Sequence, residues 1–333
     1  MTEKIGQIGI NPSSLFNTQD ILEFAKLLDS RPQVNSIWIP ESWGREAFVM
    51  LGAIASLTSK IKLGTSIVSM FSRSPATTAM AASTLDNISK NRTRIGIGAS
   101  TPILAENWHG TKFEYPLNRM KEYVTCFKII SSGETINFDG NFFKLKNMKI
   151  MHPSSRKKIP VFLGAVNSGM IKLATSIADG TILYLRPFDE LKETVQHIRS
   201  VTSKKSKNFE ISSVFIAAIS NRYPELARRR AAKTLAFYVA VGKYYSEFLS
   251  SHGFKNEVEQ ISNDYLTNGI ENISKFVTDH MLDSLTICGT VEDCIRSLKR
   301  FVSCGISLPI LQINPVKDNS ESINDSLLLV ENV

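Results

Sequence analysis

The chain has 333 residues, a formal net charge of +8 and a hydrophobic share of 43%. That share is enough to bury a large core, and no apolar run reaches the roughly 18–20 residues that a membrane span needs. Met1-Thr2-Glu3-Lys4 leads directly into a strand pattern, so no signal peptide is expected. Cys126, Cys288, Cys294 and Cys304 stand singly without C-x-x-C spacing, which points to reduced, structural thiols in a cytoplasmic protein.

Ile5 to Ile10 alternates as a strand, and Thr18 to Leu28 carries helical spacing with Thr18 as its N-cap. Asn35 to Pro40 is a second strand, ending in Glu41-Ser42-Trp43, and a helix runs from about Arg45 to Thr58. The β-branched run Ile61 to Val68 ends in a small polar segment, Ser69 to Ser74. Pro75 then opens a helix filled by Ala79, Ala81, Ala82 and Leu85, and Arg94-Ile95-Gly96-Ile97-Gly98 resumes as strand. One βαβ unit is written out here, with small residues just past each strand's carboxyl end, where parallel α/β folds bind ligands.

Tyr115 to Ile130 is helical, with Pro116 near its start. Asp139-Gly140 between the aromatic runs of 136–143 is a hairpin signal inside Thr135 to Met148. Ile159 to Leu163 is a strand, Ser168 to Ile177 a helix, Gly180 to Leu185 a strand and Asp189 to Val201 a helix. Phe209 to Ile219 is a strand, Pro224 to Tyr245 one long helix, and helical patterns run from Val258 to about Leu282 without a strand to pair with. Val291 to Val302 is a helix, Leu308 to Ile313 a strand and Ser320 to Val330 a last helix. Eight strands, each followed by helical sequence, give the rhythm of an α/β fold, a single (β/α)8 TIM barrel over 1–333 with insertions near 99–116, 135–160 and 246–290. A doubly wound open sheet shares that periodicity.

Much chemistry is missing. Gly96-Ile97-Gly98 lacks the third glycine of a dinucleotide fingerprint, Thr101 standing in its place, and there is no phosphate-binding G-x-x-x-x-G-K-[ST] or G-x-S-x-G elbow. None of His109, His152, His197, His252 and His280 pairs at metal-ligand spacing, so no metal site is expected. An enzyme with this inventory leaves the hard chemistry to an organic cofactor. The basic clusters Arg156-Lys157-Lys158, Lys204-Lys205-Ser206-Lys207 and Arg228-Arg229-Arg230 read as solvated faces or as attraction for an anionic ligand. No interleaved aromatics or recognised motif accompany them, so nucleic acid is not an expected partner.

Four segments fall at predicted carboxyl ends of strands: Glu41-Ser42-Trp43, Ser66 to Met70, Ala99 to Thr101 and Gly164 to Met170. The last is a small-residue loop entering a helix, suited to a phosphate or equally an ordinary βα turn capped by Ser168.

The chain resembles the bacterial luciferase-like superfamily and, within it, the coenzyme F420-dependent oxidoreductases. The matching text is 39–48 (IPESWGREAF), Leu63-Gly64-Thr65-Ser66-Ile67 and Ser72-Arg73-Ser74-Pro75, then Thr84-Leu85-Asp86, Gly96-Ile97-Gly98 and Glu106-Asn107-Trp108-His109-Gly110. Phe138-Asp139-Gly140, Ala178-Asp179-Gly180 and Cys288-Gly289-Thr290-Val291-Glu292 follow in order.

The resemblance implies a barrel holding coenzyme F420, or alternatively FMN, at its mouth. It implies a non-proline cis peptide between Ser66 and Ile67, in a bulge that backs the ring system. Ser69, Ala99 and Ser100 match positions that line the cofactor, and Val166, Asn167, Gly169 and Met170 match the loop that holds its phosphate or linker. Glu41 takes the position of an acidic ring contact or proton handler. Many relatives have Asp-His there; Ser42 cannot supply a histidine's acid or base, which leaves His109 as the other titratable candidate for catalysis, or a structural residue beside Trp108. The activity implied is hydride transfer between the deazaflavin and a small organic substrate, with a methylene-tetrahydromethanopterin reductase-like role as its most specific form. An FMN-dependent monooxygenase and a non-catalytic cofactor-binding relative or subunit are the alternatives. A homodimer or higher homo-oligomer is the implied assembly.

Overall fold

The computed structural model describes residues 5–203 and 208–333. Strand β1 (Ile8–Pro12) is followed by α1 (Thr18–Asp29), β2 (Val34–Ile39), α2 (Ala47–Leu57), β3 (Lys62–Thr65), β4 (Val68–Ser69), α3 (Pro75–Ile88) and β5 (Thr93–Gly98). A π-helical turn at Leu104–Trp108 precedes α4 (Pro116–Ser131), the pair β6 (Ile136–Asp139) and β7 (Lys144–Met148), then β8 (Val161–Gly164), α5 (Ser168–Ile177) and β9 (Gly180–Tyr184). The chain continues through α6 (Phe188–Ser203), β10 (Glu210–Ile219), α7 (Pro224–Val241), α8 (Lys243–Leu249), α9 (Lys255–Asn268) and α10 (Asp279–Leu285). It ends with β11 (Thr286–Gly289), α11 (Val291–Val302), β12 (Leu308–Ile313) and α12 (Asn319–Glu331). The fold is a (β/α)8 barrel with additions. No helix among the described residues is long and apolar enough to cross a membrane.

The residues divide into two compact units: one takes in the chain up to Phe24, Arg31–Asn35 and Leu183–Val333, the other Ala25–Ser30 and Ser36–Ile182. In the second unit the strand order is β2-β3-β5-β8-β9, with β4 on β5. The pairings of β2 with β3, β3 with β5, β5 with β8 and β8 with β9 are parallel, and α2 to α5 pack in succession around them. Trp38 is fully buried, with its ring edge-on to Phe162 at 5.6 Å between centroids. Its indole lies where a Gly64 side chain would be, 2.2 Å from an ideal Cβ. Two devices in this unit start helices: Ser74 Oγ accepts the Thr77 N–H at the head of α3 with Pro75 at the first position, and Asn167 does the same for α5.

In the first unit the order is β11-β10-β12-β1. These strands are parallel, with Gly9 opposite Ile310 and Asn11 opposite Gln312. Helices α7 to α10 share one apolar core with Ile216, Ala218 and Cys288.

Five expectations change. Thr18 does not cap α1, because the Asn17 side chain accepts the Asp20 N–H at 2.9 Å; Asn17 forms the Asx turn one residue earlier. Ser168 does not cap α5; Asn167 does, accepting from Met170 N–H at 2.9 Å. The single helix expected over Pro224 to Tyr245 breaks at Gly242, where φ is −107° and ψ 82°. Glycine there lets Tyr245 fold back, since an ideal Cβ would lie 2.5 Å from the Tyr245 ring. Strand β11 was absent from the strand count. Its four residues follow α10 directly with no turn residue between, so periodicity gives no boundary. A hairpin forms around Asp139-Gly140, but Asp139 pairs with Lys144 and the loop is 140–143, so Phe142 and Phe143 lie in the loop and not on the second strand.

Candidate cofactor and catalytic site

All the catalytic and cofactor residues that the resemblance implies lie in the second unit. Pairing of β3 with β5 stops at Gly64 opposite Arg94 and resumes as β4 on β5 at Val68 opposite Ile97. Thr65, Ser66 and Ile67 therefore face only Ile95 and Gly96, which makes a bulge. Thr65 replaces the interrupted ladder: its Oγ1 donates to Gly96 O at 2.8 Å and accepts from Gly96 N–H at 2.9 Å, fully buried. The Ser66–Ile67 peptide is cis, as the resemblance implied.

The bulge is pinned from the neighbouring strand. Ser66 N–H donates to Ile39 O at 2.9 Å, and Ile67 O accepts from Glu41 N–H at 3.4 Å. The Ile67 side chain lies across two glycines: an ideal Cβ on Gly98 would sit 2.6 Å from Ile67 Cδ1, and one on Gly164 3.5 Å from Ile67 Cγ2. These glycines at the ends of β5 and β8 make room for that side chain. Ser69 is buried and its Oγ accepts the Phe71 N–H at 3.1 Å, while Met70 N–H donates to Gly98 O at 3.0 Å. Ala99 and Ser100 are partly buried just beyond, Ser100 with a left-handed φ of 63°.

Glu41 sits within reach of both the head of α2 and the loop after β4. Its Oε2 accepts the Ala47 N–H at 3.0 Å and an Arg73 Nη2 hydrogen at 3.1 Å. The same Arg73 Nη2 pairs with Glu46, whose side chain caps α2, and the guanidinium covers the Phe48 ring at 5.1 Å. Burial pushes the Glu41 carboxyl above its ordinary range and the Glu46 charge adds to this, while the Ala47 N–H and Arg73 hold it down; the net direction is upward. A largely buried carboxyl with a raised pKa and a cationic partner suits proton handling.

At the head of α5, Asn167 Oδ1 takes the Met170 N–H and Asn167 O the Ile171 N–H. The Ser168 and Gly169 N–H groups remain open among the described residues, at the positive end of the helix dipole. Val166 and Gly169 are partly buried, Asn167 is exposed and Met170 is buried. The loop leaves β8, which pairs with β5, so it borders the bulge through that strand.

His109 follows the π-helical turn, its backbone N–H donating to Leu104 O at 3.1 Å. Its imidazole has no hydrogen-bond partner among the described residues, and no hydrogen bond or ion pair among them joins it to Glu41. The surrounding insertion is held by Glu106, which accepts the Phe113 N–H at 3.1 Å, and by Phe113 against Phe71 at 4.7 Å.

Sequence reasoning missed Arg73 and Thr65. Each acts through partners 27 to 32 residues away, and no spacing rule links them. Three of the six basic residues in the described clusters make ion pairs. Arg156 grips the buried Asp86 through two nitrogens at 2.7 and 2.8 Å, Lys158 pairs with Asp179, and Arg228 with Asp279 and Asp283. Lys204-Lys205-Ser206-Lys207 lies outside the described residues.

The family model of luciferase-like monooxygenases matches residues 6–308. The chain belongs to this family. A 5,10-methylenetetrahydromethanopterin reductase of Archaeoglobus fulgidus is 30% identical over 280 residues, 81% of this chain and 82% of that protein. Among solved structures, a coenzyme F420-dependent tetrahydromethanopterin reductase from Methanopyrus kandleri superposes with a TM-score of 0.83 at 20% identity, covering 96% of each chain. An F420-dependent secondary alcohol dehydrogenase, solved with an F420–acetone adduct, gives 0.77 at 19% identity over 97% of this chain and 98% of that one. These superpositions identify the luciferase-like barrel.

Proposed function

We propose that this luciferase-like protein is a coenzyme F420-dependent oxidoreductase that moves a hydride between the deazaflavin and a small organic substrate. The observation that carries the reading is the Thr65–Ile67 bulge, whose Ile67 side chain covers Gly98 and Gly164 at the ends of two adjacent strands. It places the partly buried Ile67 side chain at the carboxyl ends of these strands, where parallel barrels bind ligands. The residues fit the group. The open Ser168 and Gly169 N–H groups suit its phosphate, and Ser69, Ala99 and Ser100 border the bulge. The 30%-identical relative is named a 5,10-methylenetetrahydromethanopterin reductase, another relative is named a putative coenzyme F420-dependent oxidoreductase, and methylene-tetrahydromethanopterin is the most specific substrate we propose.

When bound, F420 supplies the hydride chemistry. The chain's own part is orientation and proton control. Ile67 backs the ring, so that one face is left for substrate. Val166, Asn167, Gly169 and Met170 hold the phosphate-bearing side. Glu41, whose Oε2 is held by Ala47 N–H and Arg73, exchanges a proton at its other carboxyl oxygen, Oε1; His109 is the second candidate for that role. The reading extends to a cytoplasmic homodimer or higher homo-oligomer.

Titrating the purified full chain with F420 and with FMN, followed by absorbance, tests the reading. F420 binding in preference to FMN is expected. FMN bound tightly with no affinity for F420 overturns it in favour of the monooxygenase chemistry in the family's name. Cofactor bound without oxidation or reduction of any substrate in a panel leaves a non-catalytic cofactor-binding relative or subunit.

A further inference from the structure

We propose that Arg119 is a positioning residue that joins the tip of the β6–β7 hairpin to the loop after β4, and so sets the loop that borders the cofactor. What it positions rests on the F420 reading; the joint itself does not. Every residue involved belongs to the second unit.

Arg119 stands near the start of α4, with its guanidinium carbon 5.2 Å from the centre of the Phe71 ring, 5.0 Å from that of Phe142 and 5.8 Å from that of Phe143. Its Nε is buried without a hydrogen-bond partner among the described residues, and no ion pair among them includes it. A guanidinium held in this way draws its attraction from the ring faces. Phe71 belongs to the loop after β4, Phe142 and Phe143 to the hairpin tip. One charge therefore spans both segments.

The hairpin tip is a fixed point. Glu122, one turn along α4 from Arg119, accepts the N–H groups of Asn141 and Phe142 at 2.9 Å each and that of Phe143 at 3.3 Å. A Cβ on Gly140 would collide with Glu122 Oε2, so glycine is what lets the carboxylate close on the tip. The Phe143 ring also meets Tyr123 edge-on at 5.8 Å, and the Tyr123 hydroxyl shares a hydrogen bond of 2.6 Å with Thr78.

The other end of the joint leads to the cofactor residues. Phe71 is 4% exposed, and its N–H donates to Ser69 Oγ at 3.1 Å. Its neighbour Met70 donates to Gly98 O at 3.0 Å, and Gly98 is the glycine that Ile67 covers. Holding the Phe71 ring therefore holds Ser69 against the end of β5. Phe113 touches the same ring at 4.7 Å, so Phe71 keeps an apolar neighbour when the cation is removed.

Amide exchange on the full chain tests the joint. In Arg119→Met, exchange at Met70 and Phe71 should quicken about tenfold, within the worth of a partly desolvated cation–π contact, while β8 and α5 stay unchanged. Arg119→Lys keeps a cation among the rings and should restore the protection. Gly140→Ala pushes the tip off Glu122 and should show the same loss, yet add nothing to Arg119→Met, because the two changes break one connection. The Kd for F420 should rise about tenfold in Arg119→Met and stay near its original value in Arg119→Lys. Unchanged exchange in Arg119→Met, an equal loss in Arg119→Lys, additive losses, or faster exchange throughout the second unit overturns the inference. Loosening at Met70 and Phe71 with F420 bound as tightly as before also overturns it, since the joint then positions nothing for the cofactor. An unaltered chain that binds no F420 removes the oxidoreductase reading instead, and the exchange comparison alone then upholds or overturns the joint.

Discussion

Arg73 Nη2 serves two carboxylates, 3.1 Å from Glu41 Oε2 and in contact with Glu46 Oε1. Its side chain is only 14% exposed and that of Glu41 only 10%, so little water screens them. Burial already lifts the Glu41 pKa, and Arg73 is one of the two groups that oppose the lift. Replacing it by an apolar side chain of similar length leaves Glu41 beside Glu46 with no cation. The Arg73→Met variant should therefore shift the acid limb of the pH–kcat/KM profile of F420-linked turnover to higher pH, because the carboxylate form then persists only in less acid solution. Glu41→Gln should abolish that limb. A limb in the same place in Arg73→Met removes the pair from proton handling. Glu41 was legible because it matches a position in related sequences. Arg73 was legible only as matching text, since its role depends on chain segments that folding brings together. Ser42, beside Glu41, shows the converse limit: its identity excludes a histidine's chemistry but names no replacement.

At the scale of elements, the joints between helices and strands carry information that periodicity does not. Asp29, the last residue of α1, accepts N–H groups from Ser59, Lys60 and Ile61 at 2.8, 2.8 and 2.9 Å and so fixes the chain just before β3. Burial alone would raise its pKa, but the bonds from Ile61, Lys60 and Ser59 together win and lower it below the ordinary 3.8. The sign follows from proton binding. Between the lowered folded value and the ordinary one, the unfolded chain holds more protons. This carboxylate's contribution is therefore complete above about pH 4 and is lost as pH falls through the folded value. Asn in its place keeps the shape but not the charge. Asp29→Asn should cost about 1 kcal/mol at pH 7, a low figure for charged bonds because the group is partly exposed. Urea unfolding at pH 7 and pH 3 should show the difference shrinking at the lower pH; a constant difference contradicts the account. Nothing in the sequence joined Asp29 to Lys60. The caps at Asn17 and Asn167 were one residue from the positions expected, since Asn-Thr and Asn-Ser each offer two capping side chains and only the backbone chooses.

Over the whole molecule, the alternation of strand and helix was legible because most barrel strands are short apolar runs set between longer helical patterns. The two compact units were not, because no composition shift or linker marks the points near Asn35 and Ile182 where they divide. That division gives the cofactor proposal a global consequence. Every residue assigned to F420, from Glu41 to Met170, lies in the second unit, and a ligand that binds only the folded form stabilises what it binds by mass action. At a hundredfold excess over Kd that amounts to about 2.7 kcal/mol. F420 should therefore raise Tm, while FMN at the same concentration should not. Amide exchange measured with F420 should show protection gained in β3, β5, β8 and the first turn of α5. If FMN gives that protection and F420 does not, the flavin is the cofactor. If F420 protects only segments of the first unit, the bulge at Ile67 is not the wall behind its ring.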